Sequence, residues 1–311
     1  MFCTNCGKEL KEGYGFCPYC GSPVASGIQL ADIPLFPVKL GGKWGFIDRS
    51  GKLVIEPQFD YADRFTEGPA WVKVGEKWGF IDKAGRFVIE PQFYEPLAFT
   101  EGLAAVEVRD GETDKSGYID KTGRFVIGPQ FDSAWVFSEG LAGVIVGDSE
   151  WKTGKWGYID KTGRFVIEPQ FDWAEDFHEG LAWVEVGGLE GGKWGFIDKT
   201  GRFVIGPQFD EADRFTEGLA AVRVGKKWGF IDKTGRFVIN PQFDGAWVFS
   251  EGLAGVIVGK KWGYIDKTGR FVINPQFDGA EDFSEGLARV EVGKKWGFID
   301  KTGRYVWEPT E

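Results

Sequence analysis

The sequence predicts an all-β protein, eight tandem three-stranded antiparallel β-meander units behind a small cysteine-bearing module. Three observations lead there. A phrase close to Lys-Trp-Gly-Phe-Ile-Asp-Lys-Thr-Gly-Arg-Phe-Val-Ile recurs from Lys43, Lys77, Lys115, Lys155, Lys193, Lys227, Lys261 and Lys295, and a repeat of this length signals one supersecondary unit copied along the chain. Inside each copy, short β-branched and aromatic runs alternate with Gly-bearing turns, the pattern of hairpins. All four cysteines stand within the first 20 residues as two C-x-x-C pairs.

The N-terminal module comes first. Cys3-Thr4-Asn5-Cys6-Gly7 and Cys17-Pro18-Tyr19-Cys20-Gly21 are two knuckles in which both thiolates reach one ion while Gly permits the tight turn. Together they predict one structural Zn2+ held by Cys3, Cys6, Cys17 and Cys20, with no position left open for catalysis. Disulfides suit a reducing compartment badly, and a thioredoxin-like site needs a single C-x-x-C inside an α/β pattern. Residues 1–24 resemble the short zinc-ribbon family, whose members often contact proteins or nucleic acids. Here Lys8 and Lys11 are offset by Glu9 and Glu12, which points to a protein contact. So small a segment has little core, and metal binding itself would supply its folding free energy. Residues 25–32 read as a linker and residues 33–311 as the repeat array.

One repeat justifies the elements in order. Val256-Ile257-Val258 is a first strand, Gly259-Lys260-Lys261 a turn, and Trp262-Gly263-Tyr264-Ile265-Asp266 a second strand. Asp266-Lys267-Thr268-Gly269 has the residues of a type I turn closed by a left-handed Gly. Arg270 to Ile273 forms the third strand, and Pro275 is expected to end the sheet. Trp262 and Tyr264 share one face while Ile265 takes the other, so both faces are apolar and the sheets should stack face to face. Phe277 and Phe283 are placed to plug the gap between neighbours, and Glu285-Gly286 reads as a turn.

Units beginning at Lys193, Lys227, Lys261 and Lys295 keep a 34-residue spacing. Elsewhere the extra residues, 109–114, 148–154 and 188–192, fall in the turn between the first two strands, so they project from one side. That side, with Glu150 and Trp151, is the candidate recognition surface. Blocks of units were also duplicated: the run from Ala134 to Gly140 recurs from Ala246 to Gly252.

The array resembles the WG-repeat family on the pairs Trp44-Gly45, Trp78-Gly79, Trp156-Gly157, Trp194-Gly195, Trp228-Gly229, Trp262-Gly263 and Trp296-Gly297, with Ser116-Gly117 departing. The resemblance covers roughly residues 40–309 and implies no shared activity. The last unit is almost an interior copy, with no evident polar cap, which favours a β-propeller-like ring over an open β-solenoid. Three strands in 34 residues are lean for a blade, and the Gly-Lys-Trp openings are also similar to those of choline-binding modules.

Catalytic parts are scarce. His178 is the lone histidine, read as an exposed substitution where other units carry Ser or Thr, and no Ser-His-Asp set can be assembled without it. Asp48, Asp82, Asp120, Asp160, Asp198, Asp232, Asp266 and Asp300 sit where a turn wants a capping Asp. The Glu of each F-x-E-G is likewise read as structural. The tryptophans are read as a core ladder, and the alternative use of their rings is ligand stacking. A net charge of −10 argues against a general nucleic-acid surface. No apolar run reaches the roughly 20 residues of a membrane span, and Met1-Phe2-Cys3 opens without a basic n-region and apolar h-region, so no secretory signal is expected. The expectation is a cytoplasmic, non-enzymatic scaffold that binds protein partners, the ribbon serving as a second contact. The alternative is a small-molecule or glycan-binding module using aromatic residues between units.

Overall fold

The computed structural model describes residues 34–48, 50–110, 113–147, 154–188 and 191–310. The four cysteines, Glu150, Trp151 and the whole linker, residues 25–32, lie outside the described residues. Among the described residues the protein is all-β, without a helix. Eight small antiparallel sheets follow one another along the chain as the blades of a β-propeller. Blade 1 has three strands, Phe36–Leu40, Lys43–Ile47 and Leu53–Phe59, and blade 3 has Ala104–Asp110, Thr113–Ile119 and Phe125–Phe131. The other six, spanning 61–93 (blade 2), 133–171 (blade 4), 173–209 (blade 5), 211–243 (blade 6), 245–277 (blade 7) and 279–310 (blade 8), have four.

Four strands correct the three-stranded expectation. The added strand comes first and usually spans two residues, such as Glu211–Ala212 in blade 6, too short to show an alternating pattern. It pairs through Glu211↔Arg223 and Ala212↔Val222 with the strand Leu219–Val224. Lys227–Asp232 and Phe237–Phe243 complete blade 6. With this added strand counted, six of the eight sheets reach the four strands of a propeller blade, and for them the objection of leanness disappears.

Pro275 also behaves differently from expectation. It lies inside the outer strand Phe271–Phe277 of blade 7, as Pro241 lies inside that of blade 6. The strand is at the sheet edge, where a missing N–H costs no ladder bond, and its register shifts between Trp262, Tyr264 and Ile265. The glycine of Trp-Gly makes this shift possible. A Cβ on Gly263 would stand 2.6 Å from the Ile273 carbonyl oxygen and 2.7 Å from Pro275 N, both backbone atoms.

The described chain divides into two compact units, one running to Arg109 and taking in Tyr118–Phe125, the other comprising Asp110–Gly117 and Val126–Glu311. In the second unit each apolar core forms between consecutive blades. Leu219, Ala221, Phe230, Ile239 and Phe243 of blade 6 pack against Phe249, Ala254, Val256 and Ile265 of blade 7. Ala220, Val222 and Ile231, on the opposite face of blade 6, pack against Phe196, Ile205 and Phe209 of blade 5. Both faces of an interior blade are thus dry, as the alternation of aromatic and aliphatic residues predicts. The plugging phenylalanines hold the predicted place: Phe283 is buried against Tyr264 with centroids 4.8 Å apart. In the first unit the same pattern packs Phe46, Ile55 and Phe59 against Ala70, Val72 and Ile81.

Candidate functional site

The recurring carboxylates are occupied by the fold. Asp266 Oδ1 accepts from Thr268 N at 2.8 Å, Thr268 Oγ1 at 2.6 Å and Arg270 N at 3.2 Å. The Thr268 hydroxyl in particular holds this carboxyl below the usual carboxylate range. The same turn recurs at Asp120, Asp160, Asp198, Asp232 and Asp300. A second aspartate, which sequence reasoning passed over, fastens the hairpin opposite. Asp244 Oδ1 accepts from Lys227 Nζ at 2.6 Å and Oδ2 from Gly259 N at 2.7 Å, and Lys227 lowers its pKa. Its signal was present in the sequence, since Lys opens and Asp closes six of the eight phrases, at Asp60, Asp132, Asp172, Asp210, Asp244 and Asp278, whereas the second closes on Tyr94 and the eighth lacks Pro-Gln-Phe-Asp.

The Glu of F-x-E-G joins one blade to the next. Glu217 has φ +52°, in the left-handed region, and its carboxylate accepts the Gly252 N–H at 3.1 Å and pairs with Lys267 Nζ at 3.0 Å. Glu139, Glu179 and Glu251 do the same to Lys199, Lys233 and Lys301 of the following blade. The Lys301 ammonium holds the Glu251 carboxyl below its ordinary value. Each lysine also donates to the carbonyl of the same Glu, as Lys267 Nζ does to Glu217 O at 2.9 Å. Like the turn aspartates, these glutamates build the fold.

Trp156 is fully buried, while Trp44, Trp78, Trp194, Trp228, Trp262 and Trp296 are half-buried at the margin of the cores. The repeat Trp needs a neighbour to cover it, and the neighbour varies. Trp135 lies stacked on Trp156 at 5.3 Å and 7°, and Trp247 on Trp262 with the same geometry. Gly143 and Gly255 leave the space for those two rings. Arg289 covers Trp296 from 4.1 Å. In blade 2 the cover is Trp71, 4.7 Å from Trp78.

Where the repeats differ, two groupings emerge. In the first unit, Asp60, Tyr61, Trp71, Lys73, Gly75 and Trp78 line an open pocket of about 570 Å3. Tyr61 stands 5.9 Å from Trp71, 5.5 Å from Trp78 and 5.3 Å from Trp44. Lys73 Nζ lies 5.4 Å from the Trp78 ring centre, and Trp71 Nε1 is buried without a hydrogen-bond partner. In the second unit, polar residues gather in the stretch after the first strand: Glu175, Asp176 and His178 of blade 5, Asp213 and Arg214 of blade 6, and Asp282 of blade 8. The charges of Asp213 and Arg214 act on Glu175, His178 and Asp282. Burial, and then the Glu175 charge, pushes Asp176 up to about 7. Burial lowers His178, and Arg214 adds to the effect. His178 is half-buried, 5.9 Å from the Trp183 ring, which corrects its reading as an exposed substitution.

Sequence reasoning missed both groupings because it read the shared phrase; the available signal was departure from that phrase. Two of the three insertions fall where expected, between paired strands closed by Val146↔Lys155 and Val186↔Lys193; at 109–114 most of the extra residues instead lengthen the strands Ala104–Asp110 and Thr113–Ile119. No described helix is long and apolar enough to cross a membrane.

The pattern of the WG containing repeat matches residues 44–78, 78–111, 117–149, 156–189, 194–228, 228–262 and 262–296. That of the zinc-ribbon domain matches residues 2–24. No curated protein matches the chain. Among solved structures the chain is similar to Hsv2 of Kluyveromyces lactis, at 9% identity and a TM-score of 0.47, over 78% of this chain and 94% of that one. It is similar also to the β-propeller domain of the Trilobed protease from Pyrococcus furiosus, at 10% identity and a TM-score of 0.42, over 90% and 99%.

Proposed function

The chain belongs to the WG-repeat family, and on that footing we propose that it is a non-catalytic, cytoplasmic binding scaffold for protein partners. One observation carries this reading. The carboxylates and lysines that recur from blade to blade are engaged in turns, hairpin clasps and blade-to-blade joints, so the repeat frame is spent on presenting a surface. What varies between copies is left to recognise something: the hairpin insertions and the side chains after each first strand.

The N-terminal module is the second contact in this proposal. Its donor set, four thiols in two C-x-x-C-G knuckles, fits a single tetrahedral zinc, and Cys3, Cys6, Cys17 and Cys20 are assigned to it. An ion held by these four thiolates would tie the two knuckles together and would have no open position for a substrate.

The test is capture from a host lysate by the full chain beside a chain lacking residues 1–27. A protein retained in stoichiometric amount supports the scaffold, and its loss with the shorter chain assigns the contact to the ribbon. If neither chain retains a protein above background, the scaffold reading fails. The small-molecule alternative is favoured by one specific feature, the pocket beside Trp71.

A further inference from the structure

We propose that the first unit binds a small planar anion, a flat heteroaromatic ring carrying a phosphate or carboxylate group, in the pocket formed by Tyr61, Trp71, Lys73 and Trp78.

Three of these residues, Tyr61, Trp71 and Lys73, are departures from the repeat, set around the repeat's own Trp78. Strand register places Trp71 opposite Phe80, and the matching positions elsewhere hold Gly143, Trp183, Ala221, Gly255 and Arg289. Small residues at three of these five show that a blade closes without a large side chain there. The cross-strand pair Tyr61↔Lys73 corresponds to Ser133↔Ile145, Trp173↔Glu185, Glu211↔Arg223, Gly245↔Ile257 and Gly279↔Glu291. Among these blades, only blade 2 combines an aromatic ring on the first strand, a tryptophan on the second and a cation beside them. Blade 5 has the two tryptophans, Trp173 and Trp183, but an acid at the third place, Glu185.

The chemistry of the lining selects the ligand. Two indoles and a phenol, of which Tyr61 is 40% exposed, offer faces on which a flat ring can stack. A cationic ligand is disfavoured because the chain's own ammonium, Lys73, already lies 5.4 Å from the Trp78 ring and would repel it. A neutral apolar ligand leaves that ammonium uncompensated. The neighbouring acid Asp60 feels the Lys73 charge, but its carboxylate accepts its hydrogen bonds from Lys43 Nζ at 2.6 Å and Gly75 N at 2.8 Å rather than from Lys73. Trp71 Nε1, buried and without a partner, is a donor for a polar ring atom. The volume, about 570 Å3, lies in the range of small-molecule sites, which run from about 300 to 1,000 Å3. A polymeric nucleic acid is disfavoured by the net charge of −10.

The proposal does not depend on the protein-scaffold reading. It is tested by titrating the full chain with adenosine 5′-monophosphate, adenosine and indole-3-acetate, followed by tryptophan fluorescence and calorimetry. Saturable binding of at least one of the two anions is expected, with adenosine about tenfold weaker than its monophosphate. A preference between the anions identifies phosphate or carboxylate as the source of the charge. Tyr61→Ala should weaken binding about tenfold or more through lost stacking, and Lys73→Gln should bring the monophosphate down to the affinity of adenosine. Both side chains are partly exposed, so equal melting temperatures will show that the variants fold. Absence of binding by both anions at millimolar concentration overturns the proposal, as does binding that survives both substitutions unchanged.

Discussion

Replacing the glycine of Trp-Gly with alanine probes the blade directly, and Gly229 in blade 6 is the place to do it. A Cβ there would stand 2.6 Å from the Ile239 carbonyl oxygen, 2.7 Å from Pro241 N and 2.9 Å from Asn240 C. All three are backbone atoms, so no side chain can swing aside. Reaching ordinary contact at 3.4 Å means moving the outer strand by about 0.8 Å, in a core packed on both faces. Overpacking of this kind costs about 1–3 kcal/mol, and loosening one or two ladder hydrogen bonds adds about 1 kcal/mol each. The sum, about 3 kcal/mol, corresponds to a fall in melting temperature of about 6–12 °C for a chain of this size. Gly206→Ala is the matched control: Gly206 stands on the outer strand of blade 5 with nothing within 4 Å of its would-be Cβ. It should be neutral, or stabilise by up to about 1 kcal/mol through the unfolded state. Thermal melts of both variants by circular dichroism decide the matter. If Gly229→Ala melts with the wild type, close approach is not the reason for the glycine.

Three further outcomes are expected. Trp156→Ala removes a fully buried ring stacked on Trp135 and should cost about 3–5 kcal/mol in urea denaturation, whereas Trp296→Ala, at a half-buried ring, should cost less. Asp176, raised to about 7 mainly by burial, keeps in the folded chain a proton that the unfolded chain releases near pH 4, so its contribution to stability is fullest below about pH 4 and is lost as pH rises to about 7. Asp176→Asn should therefore stabilise the folded chain at pH 8 by at most about 4 kcal/mol, on the linkage of one pK unit to about 1.4 kcal/mol, and by less at pH 5, so its rise in melting temperature should be larger at pH 8; an equal effect at both pH values refutes the burial of its charge. Elemental analysis should find one zinc per chain, lost in a Cys3→Ser, Cys6→Ser double variant whose β array melts as before.

The eightfold phrase and its turn residues were enough to determine the fold class, because period-2 alternation and Gly-closed turns act over a few residues. The role of Asp266 as a capping turn residue was legible for the same reason, and so was the place of two of the three insertions between hairpin strands. The first strand was not legible. Two residues such as Glu211–Ala212 carry no pattern and pair only because the rest of the blade is already there. The tolerance of Pro241 within a strand depends on that strand's lying at an edge, which is a property of the sheet. The joint from Glu217 to Gly252 and Lys267 crosses between blades, and the residues of the Trp71 pocket are neighbours only across strands. Local sequence determined what each unit is, since turns and strands are governed by near neighbours; only the tertiary structure decided which side chains meet, since contacts between strands and blades depend on register and stacking.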